Sequence, residues 1–207
     1  KIILLFLLLN FQIILASGGF DHGTITGENK LQIDLTLNPF NMIKYGQTYI
    51  VLSYGISEKL DVHGYFSHES TDVNQFYYGL MKQFKQTTLL DLSTAIGLRY
   101  RLKQKDIFFP QFLYTIKLNN FNIGGSIVAV SDLTNKQFYG LTYDIAFFLP
   151  LKKLTKYIPL SEKIELGIGA FKNLSNKLYP TYSFDIKFNL NYINQNKNKE
   201  NNIFKRL

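Results

Sequence analysis

Residues 89–102 read "LLDLSTAIGLRYRL", and from Leu90 onward they divide into two rows. Leu90, Leu92, Thr94, Ile96, Leu98, Tyr100 and Leu102 form one row, and Asp91, Ser93, Ala95, Gly97, Arg99 and Arg101 form the other. A period of two is that of a strand, because successive side chains on a pleated chain point to opposite faces. In a soluble sandwich the leucine row is core and the arginine row is surface. In a membrane barrel the leucine row meets lipid and the arginine row meets the lumen.

The same alternation recurs in ten segments, separated by short pieces rich in Asn, Asp, Gly, Ser and Lys. The apolar row is Leu31, Ile33, Leu35 and Leu37 in the first segment and Tyr182, Phe184, Ile186, Phe188 and Leu190 in the last. The opposite rows mix acids and bases and also hold Gly55, Gly79, Gly97, Gly124, Gly140, Gly167 and Gly169, whereas the apolar rows hold only Gly64 and Gly125. Glycine weakens a strand, so it needs a reason such as close approach of another group. A solvated face offers none, but the crowded interior of a narrow barrel does. The leucine row therefore faces lipid. The expected fold is all-β: an antiparallel transmembrane up-and-down barrel of ten strands, with eight as the alternative. The seventh segment, "FNIGGSIVAVSD" (121–132), puts Val128 and Val130 on the wrong row, and a bulge near Gly124 and Gly125 would restore the phase.

The first residues, "KIILLFLLLNFQIILAS", combine a basic start, an apolar run interrupted by Asn10 and Gln12, and then small residues. This is the layout of a secretory signal peptide covering residues 1–18, with cleavage near Ala16 to Gly18. The run is short for a membrane-spanning helix. The barrel then occupies 19–190, with a short N-terminal lead and little chain left for a plug, and 191–207 form a basic, Asn-rich tail read as disordered. The chain has no cysteine, which excludes a lipoprotein anchor, disulfides and thiolate metal sites. The net charge of +8 comes from scattered residues and not from one basic patch with stacking aromatics, so nucleic acid is not an expected partner.

With the ends of the barrel on one side, residues 57–59, 85–88 and 119–120 are short turns on that side, and the longer connections lie opposite. The exception is "PLKKLTKYIPLSE" (150–162), which is long and on the turn side. Its two prolines favour a solvated loop over a short amphipathic turn lying against anionic lipid.

The signal-like start, "LSYGISEKLDVHG" (52–64, strand, tight turn, strand) and the terminal "YPTYSFDIKF" (179–188) together make the chain resemble small bacterial outer-membrane β-barrel proteins. That resemblance implies residence in the bacterial outer membrane, lipid as the surrounding partner, and recognition of the last strand by the barrel-assembly machinery through Tyr182, Phe184, Ile186 and Phe188. The tail after Leu190 departs from the pattern, since such proteins end at the aromatic.

Chemistry is sparse. Asp61 and His63 share the inward row of the third strand, where a carboxylate could orient an imidazole as a general base. Ten-stranded outer-membrane proteases use a pair of this kind, so a barrel hydrolase of lipid or peptide is one alternative function. A soluble lipocalin-like carrier with an apolar interior is another. Neither a metal site nor a cofactor is expected, because His22, His63 and His68 are not spaced as a ligand set. The leading expectation is a structural or narrow-pore barrel without enzymatic activity. Its lumen would be blocked by ion pairs among Asp34, Asp91, Arg99, Arg101, Lys117, Asp144, Lys163, Glu165, Asp185 and Lys187, centred on the two arginines.

Overall fold

In the computed structural model, the described residues are 22–37, 47–69, 73–101, 107–172, 174, 176 and 178–190. The proposed signal segment and the tail lie outside them. The strands are β1 (Lys30–Leu37), β2 (Gln47–Ser57), β3 (Leu60–Glu69), β4 (Val73–Gln86), β5 (Leu90–Arg101), β6 (Ile107–Phe108), β7 (Gln111–Lys117), β8 (Asn122–Asp132), β9 (Gln137–Pro150), β10 (Ser161–Lys172) and β11 (Leu178–Asn189). Every pairing between them is antiparallel. The sheet closes because β1 pairs with β2 on one side and β11 on the other, in register from Lys30 opposite Asn189 to Leu37 opposite Tyr182.

β6 and β7 lie between the same neighbours, β5 and β8, and form one stave interrupted at Phe109 and Pro110. Pro110 has no N–H to give a ladder. The backbone bridges the break with the Phe109 N–H donating to the Gly97 carbonyl at 3.0 Å and the Ala129 N–H donating to the Pro110 carbonyl at 2.9 Å. The barrel thus has ten staves, and the eight-stranded alternative falls away.

Short turns follow from local side-chain bonds. Thr87 Oγ accepts from the Leu90 N–H at 2.8 Å and folds the chain back between β4 and β5. Asp132 accepts from the N–H groups of Thr134 and Asn135 at 2.8 and 2.9 Å, closing the hairpin between β8 and β9 at the other end.

The bulge expected near Gly124 and Gly125 is not there. β8 stays in register with β7 from Lys117–Asn122 through Gln111–Val128, and its register against β9 slips between Val130 and Ser131. Val128 and Val130 sit on the inward row without any correction of phase. Val130 is buried beside Tyr77, Ile107 and Phe109, so the interior accepts apolar side chains at that level.

The outward rows are exposed and apolar on stave after stave: Ile50, Leu52, Tyr54 and Ile56 on β2, Phe76, Tyr78 and Leu80 on β4, Leu141, Tyr143, Ile145, Phe147 and Leu149 on β9. Tyr78 is 60% exposed. The inward rows bury polar groups instead, among them Gln32, Asp34, Asp61, Ser67, Gln75 and Asp91. A lipocalin-like carrier needs the reverse arrangement, so that reading is corrected by the fold itself.

Candidate functional site

The lumen is filled in two tiers, and the lower one is built by residues that precede the first strand. His22 to Glu28 run across the interior near the end that carries the short turns, as a strap. Its course is fixed at five points. Glu28 makes a parallel bridge to Gly55, and the Asn29 N–H donates to the Gly55 carbonyl at 3.0 Å. The Thr26 N–H donates to Asp61 Oδ2 at 2.6 Å. Ile25, 5% exposed, packs with Met81, Ala95 and Leu113, while Lys187 Nζ donates to its carbonyl at 3.3 Å. Thr24 Oγ1 donates to Asp91 Oδ2 at 2.8 Å. Ser93 Oγ and Gln83 Nε2 both donate to the Gly23 carbonyl, at 2.6 and 3.1 Å.

The strap begins at His22, whose ring stands edge-on to Phe148 with centroids 5.5 Å apart and whose Nε2 lies 3.1 Å from the donating Gln32 Nε2. Burial, then the nearby Lys163 and Lys187 ammonium groups, push the His22 imidazole pKa down from 6.5 to about 3. Two cavities border the strap, of about 20 and 30 Å³, which is room for water-sized occupants and no more. The sequence had left little chain for a plug; the lead into β1 is itself the plug.

The upper tier is aromatic. Tyr49 meets Tyr65 edge-to-face at 5.1 Å, Tyr65 stacks on Tyr77 at 5.1 Å, and Tyr77 leans on Phe109 at 6.1 Å. The Arg99 guanidinium lies 4.9 Å over the Phe109 ring. The Tyr77 hydroxyl accepts from Gln111 Nε2 at 3.1 Å and lies 3.0 Å from His63 Nε2. Its ring rests against Gly97 and Gly79, where any Cβ would overlap it.

The residues singled out in the sequence divide between these tiers. Asp61 holds the strap and His63 holds Tyr77, and no hydrogen bond joins the two, so the arrangement a general base would need is not formed. Two of the expected ion pairs lie at the strap end: Lys117 with Asp91 at 2.6 Å and Lys163 with Glu165 at 2.7 Å. Asp144 accepts from the Ser126 N–H and hydroxyl at 3.0 and 2.6 Å, Asp34 from Gln32 at 2.9 Å, and Asp185 from Ser183 at 3.2 Å. Lys187 serves the strap and Arg99 the aromatic tier, while the Arg101 side chain lies outside the described ones. Closure therefore has two sources the sequence reading did not assign: the strap, and the inward Tyr49, Tyr65 and Tyr77. A signal existed for both. Gly23 and Gly27 bracket an alternating Thr-Ile-Thr, and the three tyrosines stand on inward rows that also carry inward glycines on the same or neighbouring strands.

A closed antiparallel wall, apolar outside and lined largely by polar groups within, leaves no open sheet edge among the described strands, as a bilayer requires. The chain is a transmembrane β-barrel.

No protein-family model and no curated protein matches the chain. Among solved structures it is similar to the KdgM porin, with 6% identity over 77% of this chain and 98% of that one at a TM-score of 0.43. It is similar to the KdgM porin in complex with disordered oligogalacturonate at 7% identity, over 77% and 98% of the two chains, with a TM-score of 0.42. OccK11 (OpdR) of Pseudomonas aeruginosa matches at 9% identity and a TM-score of 0.31, over 77% of this chain and 66% of that one. With TM-scores below 0.5, these likenesses decide nothing; fold and site stand on the registers and side chains above.

Proposed function

We propose that the protein is an integral barrel of a bacterial outer membrane, exported through its N-terminal segment, and that it serves as a narrow pore held shut by its own strap and aromatic tier. The strap end, with its short turns, faces the periplasm. The outward row of β11, Tyr182, Phe184, Ile186 and Phe188, serves as the signal to the assembly machinery, and the lumen amines are held by pairing with carboxylates. What carries this reading is the strap's bonding: every residue from Gly23 to Thr26 is tied to the inward row of a stave. Such a lumen admits water-sized species and excludes solutes.

The protein refolded in lipid should migrate differently on a gel before and after boiling and should stay with membranes through a carbonate wash. In planar bilayers it should give little conductance. A soluble periplasmic monomer would remove the membrane assignment, and large stable single-channel steps from the unmodified chain would remove the closure.

A further inference from the structure

The connection between β9 and β10 was expected to be a plain solvated loop, and it is not. It contains a 3₁₀ turn, Thr155–Tyr157, and packs that turn against β10. Successive bonds tie it down. The Leu151 N–H donates to the Ile164 carbonyl at 2.8 Å, the Leu154 N–H to Leu151 at 2.9 Å, and the Tyr157 N–H to Leu154 at 3.0 Å. Ser161 Oγ closes the far side by donating to the Ile158 carbonyl at 2.8 Å.

A three-residue repeat in 3₁₀ geometry eclipses side chains along one face, and Leu154 and Tyr157 share that spacing across the turn, with Leu151 ahead of it and Leu160 beyond its extended end at Ile158. The face is open: Tyr157 is 71% exposed, and Leu154 and Leu160 about 40%. By contrast, Ile164, on the outward row of β10 at this level, is 1% exposed. Lys152, Lys153 and Lys156 are exposed between the apolar residues, and Lys156 Nζ lies 4.9 Å over the Tyr157 ring. Around the same end, Lys59, Lys82 and Lys85 are exposed as well, while Glu162 is engaged by Lys30 at 2.7 Å.

We infer that residues 151–160 form a foot that docks on anionic phospholipid headgroups at the turn end of the barrel, with Tyr157, Leu154 and Leu160 entering the interface and Lys152, Lys153 and Lys156 meeting phosphate. The surface continues the lipid-facing band of β10, so membrane is its neighbour by position, and its charge is opposite to that of an anionic leaflet. Long lysine stems suit such a place, since they lie along apolar surface while their ammonium groups reach polar headgroups. The inference rests on the membrane assignment above.

The chain has no tryptophan, so Tyr157→Trp installs a single reporter. The variant is refolded into vesicles of phosphatidylcholine alone and into phosphatidylcholine mixed with phosphatidylglycerol, and the heat-dependent gel shift is read on the same samples. In the mixed vesicles the emission should move to shorter wavelength and be quenched by lipids brominated near the headgroup. Raising salt should reverse the shift, as should Lys152→Gln, Lys153→Gln and Lys156→Gln together. If Tyr157→Trp does not fold, Leu154→Trp reads the same face. Equal emission and quenching in the two vesicle types, with the gel shift intact, would overturn the foot and leave the barrel standing. Loss of the gel shift in every sample would instead strike the membrane assignment on which the foot depends.

Discussion

Tyr77 ties together much of the lumen's aromatic tier. Its ring needs two glycines beneath it, and its hydroxyl joins β3 to β7 through His63 and Gln111. Tyr77→Phe keeps the ring and removes that junction, leaving two buried polar groups without their partner. The expected loss is about 1–3 kcal/mol of unfolding free energy, measured as an earlier urea midpoint with unchanged slope. An unchanged midpoint would mean that water replaces the hydroxyl. The glycines show what a sequence reveals at this scale. Gly55, Gly79 and Gly97 announced that something presses on the inward face, but not what. The occupant of Gly97 comes from the neighbouring strand, and that of Gly55 is the strap backbone at Gly27. Occupancy of this kind depends on contacts distant in sequence, and no local pattern encodes them.

Among the elements, the strands were legible because alternation and turn residues are local signals. β8 was the exception, since Val128 and Val130 look misphased only if a lumen must be polar at every level. The strap was not legible as a plug, because three alternating residues between two glycines are too short a run to tell from a linker. Its first residue supplies a test. The docked His22 imidazole has its pKa pushed down to about 3 from the ordinary 6.5, so the docked strap resists the proton that a free strap accepts. Docking is accordingly strongest above pH 6.5 and weakens as pH falls through 6.5 toward 3. The cationic Lys163 and Lys187 and the acidic Glu165 and Asp185 share the cavity with His22. In an NMR titration the His22 ring resonances should remain those of the neutral form well below pH 5.5. A midpoint near the ordinary histidine value would show a ring in water and an undocked strap.

For the molecule as a whole, charge decides what an opened lumen prefers. Among the described residues, seven inward carboxylates (Asp34, Asp61, Asp91, Asp132, Asp144, Glu165 and Asp185) stand against Arg99, Lys117, Lys163 and Lys187. Deleting the strap alone leaves the aromatic tier in place. Removing residues 22–26 together with Tyr77→Ala should therefore be needed to raise conductance, and the current should favour cations, read from the reversal potential in a salt gradient. Anion preference in that variant would show that the arginine end of the lumen dominates. The barrel itself was legible at this scale from the sidedness of glycine, whereas closure was not, since it joins parts of the chain with no pattern in common.

The strap runs into β1 at Lys30, and none of the strand pairings has to break for it to leave. It is in effect a ligand on a short tether. A tether of this length holds its ligand at an effective concentration on the order of millimolar. Substitutions that weaken its individual contacts therefore shorten each visit to the lumen more than they lower occupancy. A soluble molecule competing for the same carboxylates and carbonyl-binding groups must reach comparable concentration before it displaces the segment. Exchange by rare solutes is excluded by mass action.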